Sequence, residues 1–320
     1  MGRFAQRSLL ERGRRLSTPA IRTFALSKHF GATQALRDLD LEVGEGEVVG
    51  CLGPNGAGKT TLIRLLLGLL IPSGGRGEIF GLDCHRQTVE AHRRLAYVAG
   101  EASLWPTLTV SETLHLLGQV QGHVDPDYRD VLVERFDLDV SKKVRALSKG
   151  NRQKLILVAA LMTRPDLLIL DEPTSGLDPL MEQAFRKCIG EARERGQSVL
   201  LSSHILSEVE VLCDRIGILR EGVLVEIGTM AQMRHLSAFL VEATFDGAVP
   251  DLSQVPGVSM VEVLGAAVKC QVRGSVEPLL RALAGSGVRE LLSREPSLEE
   301  LFLAHYGAAP TREIGSPDGG

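Results

Sequence analysis

Residues Gly53 to Thr61 constrain this chain more than any other stretch. They read Gly53-Pro54-Asn55-Gly56-Ala57-Gly58-Lys59-Thr60-Thr61, set between an apolar run, Val48 to Leu52, and a helical pattern from Leu62 to Leu70. Strand, glycine-rich turn, lysine, hydroxyl residue and helix, in that order, are what a phosphate-binding loop requires. The glycines let successive backbone N–H groups turn inward around a triphosphate without Cβ clashes, and the helix presents its positive end to the same anion. Lys59 is then placed to neutralise β- and γ-phosphate oxygens, and the Thr60 hydroxyl to ligate Mg²⁺.

With 320 residues the chain can hold one large domain and a small one. Its 36 basic and 40 acidic residues nearly cancel, which removes the global field expected of a nucleic-acid-binding protein. The five cysteines, Cys51, Cys84, Cys188, Cys213 and Cys270, are scattered and odd in number, a pattern that fits a reducing compartment better than a disulfide or zinc framework. The longest apolar stretch, Leu62 to Ile71, contains Arg64 and is too short to span a bilayer. Arg3, Arg7, Arg12, Arg14 and Arg15 mark a basic N-terminal tail with no apolar core behind it, so it is not a secretory signal.

Along the chain, Ile21 to Leu26 and Ala35 to Val43 have strand composition, with a turn at Phe30-Gly31. Taken alone, Phe30 reads as a core residue, although a ring at a turn also suits stacking on a base. Arg76 to Asp83 is expected to form a strand and turn, and Leu95 to Val98 a short buried strand. Thr109-Val110-Ser111-Glu112 has capping-box spacing before a helix, and a second helix is expected over Asp127 to Phe136. Ser148 is a candidate N-cap for a helix running to Met162. Leu167 to Leu170 is a continuous apolar run that ends in Asp171-Glu172, as when a buried parallel strand delivers carboxylates to its C-terminal edge. Asp171 would hold Mg²⁺, and Glu172 accept a proton from an attacking water. Ser198 to Leu201 predicts the neighbouring strand, which brings His204 within reach of a γ-phosphate. Ile216 to Ile227 reads as a closing hairpin.

Together these segments resemble the ATP-binding subunit of ABC transporters over about residues 21–235. Gly53 to Thr61 matches Walker A, Leu147 to Gln153 the signature, Leu167 to Glu172 Walker B, Ser175 to Asp178 the D-loop, and His204 the switch histidine. The resemblance implies a P-loop NTPase fold: a RecA-like α/β core with an antiparallel β subdomain, and a helical subdomain over about residues 100–165. It implies ATP and Mg²⁺ as cofactors, Phe30 as the adenine-stacking ring, Glu172 as catalytic base and His204 as γ-phosphate sensor. It further implies head-to-tail pairing with a second copy or a related ATPase subunit. Ser148, Gly150 and Gln153 would then complete the partner's site, and Asp178 would lie at the dimer interface. A separate integral membrane permease at the cytoplasmic face of the membrane follows from the same resemblance, with no nucleic-acid partner.

The family usually places a glutamine after the short strand, where this chain has Gly100 followed by Glu101. Glu101 is therefore a candidate substitute at the metal or at the coupling surface. The match is closest to ATP-binding subunits of bacterial drug and antibiotic exporters. An importer ATPase and a soluble ABC protein acting on ribosomes or DNA are the alternatives. Residues 1–20 are expected to be a tail, 236–306 a small α+β domain similar to the appended domain of drug-exporter ATPases, and 307–320 a disordered end. In the small domain, strand patterns run over Ala238 to Phe245 and Met260 to Val272, followed by a helix from Val276 to Ala284. A strand over Val288 to Leu292 then precedes a last helix, entered through Ser297 to Glu300.

Overall fold

The computed structural model describes residues 18–100, 104–122, 124–235, 239–272 and 275–294. Most of the expected basic tail, Glu101, the helix expected from Ser297 and the C-terminal end lie outside the described residues. The chain divides into two compact units between Ile227 and Gly228, where the sequence reading set its boundary after residue 235.

The first unit opens with β1 (Ile21–Phe30), β2 (Thr33–Leu39), β3 (Glu42–Val43) and β4 (Val48–Leu52), then α1 (Lys59–Leu66), β5 (Gly74–Ile79), β6 (Leu82–Asp83), α2 (Thr88–His92) and β7 (Leu95–Val98). Helices α3 (Val110–Gln121), α4 (Pro126–Arg135) and α5 (Lys149–Leu161) lead to β8 (Leu167–Asp171), α6 (Pro179–Glu194), β9 (Ser198–Ser203), α7 (Leu206–Leu212), β10 (Arg215–Arg220) and β11 (Val223–Gly228). One sheet is antiparallel, in the order β2-β1-β5-β6 with β3 on β1. The other runs β11-β10-β4-β9-β8-β7, and its β10, β4, β9, β8 and β7 are mutually parallel.

Every residue of β4, β8 and β9 is buried, as expected of central parallel strands covered on both faces, and this is why Leu167 to Leu170 and Val199 to Leu201 are unbroken apolar runs. Their register sets Leu52 opposite Ser203 and Asp171 opposite Ser202. The phosphate loop, the two acidic residues and His204 thus leave the sheet side by side at its C-terminal edge, where open α/β sheets bind ligands.

Local chemistry explains the helix bounds. The helical pattern runs to Leu70, but α1 ends at Leu66 because Gly68 takes a left-handed φ of 66°, and a Cβ there would sit 2.6 Å from the Cys84 carbonyl oxygen. Helix α3 starts on a complete capping box: Thr109 Oγ1 accepts from Glu112 N at 3.1 Å, and Glu112 Oε2 accepts from Thr109 N at 2.7 Å. Helix α5 is buried without interruption from Gln153 to Leu161, the signature of a helix enclosed by its neighbours. Arg135 of α4 donates to Glu191 of α6 at 2.9 Å, tying two helices that are distant in sequence. The hairpin turn uses Glu221 and Gly222, both with positive φ, as a two-residue turn of the primed type demands.

The second unit contains α8 (Met230–His235), β12 (Phe239–Phe245), β13 (Val258–Leu264), β14 (Ala267–Val272), α9 (Glu277–Leu283) and β15 (Val288–Arg294). Its antiparallel sheet has the order β13-β14-β12-β15. Val241, Ala243, Val268 and Cys270 face Leu279 and Leu283 of α9 in its core.

Candidate functional site

The loop between β4 and α1 is built by glycines for two different reasons. A Cβ on Gly53 would lie 2.5 Å from the Leu219 carbonyl oxygen. Gly56 faces open space but has a φ of 83°, which only glycine adopts without cost. Gly58 combines both: its φ is 110°, and a Cβ would come within 2.7 Å of the Ala35 carbonyl oxygen. Because Gly58 is the N-cap, no side chain caps α1, and its first N–H groups are left for an anion. Lys59 is buried, with its ammonium curled into the loop, donating to the carbonyls of Gly53 at 2.6 Å and Pro54 at 3.1 Å. The turn of the β10–β11 hairpin braces the loop from outside through Gly222 N on Ala57 O at 2.9 Å.

Thr60 and Asp171 line one open cleft of about 360 Å³ together with Arg64, Tyr97, Gly100, Lys149, Glu172 and Ser175. Asp171 is buried and accepts a 2.5 Å hydrogen bond from the Ser202 hydroxyl. That hydroxyl in turn accepts from Glu172 N at 3.2 Å, so one serine on β9 holds the Asp171 carboxylate and the backbone of Glu172 just past the end of β8. Glu172 takes a left-handed φ of 47°, which turns its side chain away from the strand direction. Its Oε1 lies 3.7 Å from Lys59 Nζ and 3.2 Å from His204 Nδ1. Burial, followed by the negative charge of Asp171, pushes the Tyr97 hydroxyl above its ordinary pKa. Burial likewise pushes the Cys51 thiol, on the strand beneath the loop, up to about 12 despite nearby Lys59, so it is a packing residue and no nucleophile. Gly100 packs against Walker B, since a Cβ there would lie 3.1 Å from the Asp171 carbonyl oxygen.

On this geometry the comparisons with known proteins are decisive. The ABC transporter family pattern matches residues 36–175. The chain is 35% identical to a daunorubicin resistance ATP-binding protein, DrrA3 of Streptomyces coeruleorubidus, over 90% of this chain and 96% of that one. It is 40% identical to the bacitracin transport ATP-binding protein BcrA of Bacillus licheniformis, over 64% of this chain and 68% of that one. The chain belongs to the ABC transporter family. A solved ATP-binding subunit of an ABC transporter shares its fold with a TM-score of 0.64 at 34% identity, covering 67% of this chain and 92% of that one. As an ABC ATPase the chain binds and hydrolyses ATP, and the ATP-binding domains of this family pair as dimers and work with membrane subunits. Among the described residues no helix is long and apolar enough to cross a membrane.

The other residues expected at an ABC site are positioned as follows. Phe30 ends β1 half-exposed, with the Lys28 ammonium 5.1 Å from its ring centre. Ser148 caps α5, its Oγ accepting from Asn151 N at 3.2 Å. Gly150 lies so close to the D-loop that a Cβ would come within 2.6 Å of the Gly176 carbonyl oxygen. Gln153 is buried and donates to the Pro173 carbonyl at 2.9 Å, which makes it a strut between signature and Walker B. Asp178 is exposed and caps α6 through Met181 N at 3.0 Å. Two residues of the site went unread in the sequence: Ser202, which orients Asp171, and Glu208 on α7, whose buried carboxylate accepts from Thr174 and Ser203. Glu208 had a signal, because it stands four residues before buried Leu212 and so shares the buried face of that helix.

Proposed function

We propose that the chain is the ATP-hydrolysing subunit of an exporter, coupling ATP-driven closure of a dimer to efflux of a drug, antibiotic or other small hydrophobic molecule through a separate membrane subunit at the cytoplasmic face. The observation that carries this reading is the near end-to-end likeness to a daunorubicin resistance ATP-binding protein, which includes the second unit as well as the ATPase unit.

Within the site, Lys59 and the uncapped start of α1 bind the phosphates, and Phe30 stacks on the base. The donor set fits magnesium. Among the described residues no group of three His, Cys, Asp or Glu side chains is placed to hold a metal ion, and the oxygen groups lining the cleft include the Thr60 hydroxyl and the Asp171 carboxylate, hard donors that suit a cation completed by phosphate oxygens and water. Bound Mg²⁺ would supply charge neutralisation at the phosphates. Glu172 takes the proton of the attacking water, held in place by His204 on one side and Lys59 on the other. Ser148 and Gly150 serve the site of the paired subunit, and Asp178 meets it at the interface. Glu101 stands in for the usual glutamine.

The test is efflux of a fluorescent hydrophobic drug from cells that express the chain with the multi-span membrane protein that co-purifies with it. Export that stops with Glu172→Gln supports the reading. Uptake that depends on a soluble binding protein, or sedimentation with ribosomes in place of membranes, contradicts it.

A further inference from the structure

Glu208 is a buried carboxylate, 4% exposed, on a helix to which none of the family motifs extends. Among the described residues no lysine, arginine or histidine forms an ion pair with it. Its Oε1 accepts from the Thr174 hydroxyl and its Oε2 from the Ser203 hydroxyl, the latter at 2.6 Å. Thr174 stands two residues after Glu172, and Ser203 immediately precedes His204. Each carboxylate oxygen thus takes a hydroxyl from a different loop, and the side chain holds the two loops to a single point. The anchor itself is rigid: Val209, the next residue on α7, packs so tightly under β4 that a Cβ on Gly50 would lie 2.9 Å from it. Ser203 extends the connection to the phosphate loop, its carbonyl accepting from Gly53 N at 3.3 Å.

We propose that Glu208 is a positioning residue for ATP hydrolysis, clamping the Glu172 loop to the His204 loop so that the carboxylate and imidazole keep their 3.2 Å contact. This rests on the reading of Glu172 as the base. Glu208→Gln keeps the size but replaces one carboxylate oxygen by an amide N–H, so that arm persists only if the facing hydroxyl turns to accept, and both arms are weakened. Thr174→Val removes the other partner at nearly constant volume, whereas Thr174→Ser keeps the hydroxyl.

The experiment measures steady-state ATPase activity and ADP affinity of the full chain with Mg-ATP. Misplaced catalytic groups cost about 10- to 100-fold in rate, so Glu208→Gln and Thr174→Val should lower kcat by that amount while KM for ATP and ADP affinity stay within about twofold, a loss confined to the transition state. Thr174→Ser should turn over like the wild type, and the double variant Glu208→Gln/Thr174→Val should be no slower than the worse single variant, because both cut one connection. Wild-type turnover by Thr174→Val overturns the inference, as does a parallel loss of kcat and ADP affinity, which would make Glu208 a general support of the fold. If Glu208→Gln does not fold, the Val and Ser variants at Thr174 decide alone. Glu172→Gln separates the two readings: if it remains active, the assignment of the base fails; if it is dead while Thr174→Val is unimpaired, only the role of Glu208 fails.

Discussion

The two helix starts that the family assigns to phosphate, at α1 and α5, are built differently. At α1 the N-cap is Gly58, which offers no side chain, and Lys59 is folded back into the same loop. At α5 the cap is the Ser148 hydroxyl, which accepts from Asn151 N. The first start leaves its donors unspent for a ligand that its own loop wraps. The second satisfies its own backbone first, yet a serine that accepts through a lone pair still has its O–H proton to give. On the proposed function, one end seizes phosphate and the other meets phosphate brought by a second subunit.

Four substitutions break or sharpen that contrast. The largest effect belongs to neither helix start. Glu172→Gln should reduce turnover by about 10²- to 10⁴-fold, the usual contribution of a general base, with nucleotide binding intact and an ATP-bound dimer accumulating on size-exclusion chromatography. Lys59→Ala acts on the seizing end. It removes charge-assisted hydrogen bonds worth about 1.5–3 kcal/mol each, so ATP affinity measured by calorimetry should fall by about 10- to 100-fold even for the isolated chain. Ser148→Ala acts on the meeting end and should leave that affinity unchanged while turnover falls about tenfold, the worth of one lost hydrogen bond. Losing the cap should also cost about 1 kcal/mol of stability in thermal unfolding. If Ser148→Ala weakened ATP binding by the monomer, the two ends would not be separable.

The smallest effect lies away from both ends, at Arg135 and Glu191. The Arg135 guanidinium bonded to Glu191 holds that carboxyl below its ordinary value of 4.5. Its folded pKa is depressed, so its stabilisation is present above pH 4.5 and is lost as the pH falls through the folded value. Glu191→Gln should therefore lower stability at pH 7 by at most about 1 kcal/mol, as befits a partly exposed pair, and the difference from wild type should vanish in acid denaturation.

The sequence made the site legible wherever one residue type is forced by the backbone or by the ligand. The glycines at 53, 56 and 58, the acids at the end of an apolar strand, and the Thr109 capping box are local signals, and each stands in the fold at the position read for it. The same holds for His204, because adjacent buried parallel strands must end together. What escaped depends on tertiary contacts. Gln153 reads as one more signature residue until its amide is seen on the Pro173 carbonyl. In Leu206–Leu212, Glu208 and Glu210 look alike, and only packing distinguishes the buried acid from its partly exposed neighbour. The end of α1 was overrun because the apolar pattern continues past Gly68, whose left-handed turn is fixed by the approach of Cys84.

The central claim is that each phosphate loop works with the capped helix start of another chain. Mixing two inactive full-length variants tests it directly: Lys59→Ala, which spoils the seizing end only, and Ser148→Arg, which fills the meeting end with bulk and charge. The mixed dimer contains one intact loop facing one intact signature, so the mixture should recover ATPase activity that neither variant shows alone, rising to a maximum near equal proportions. Activity that stays at the sum of the two separate variants at every ratio would contradict the account.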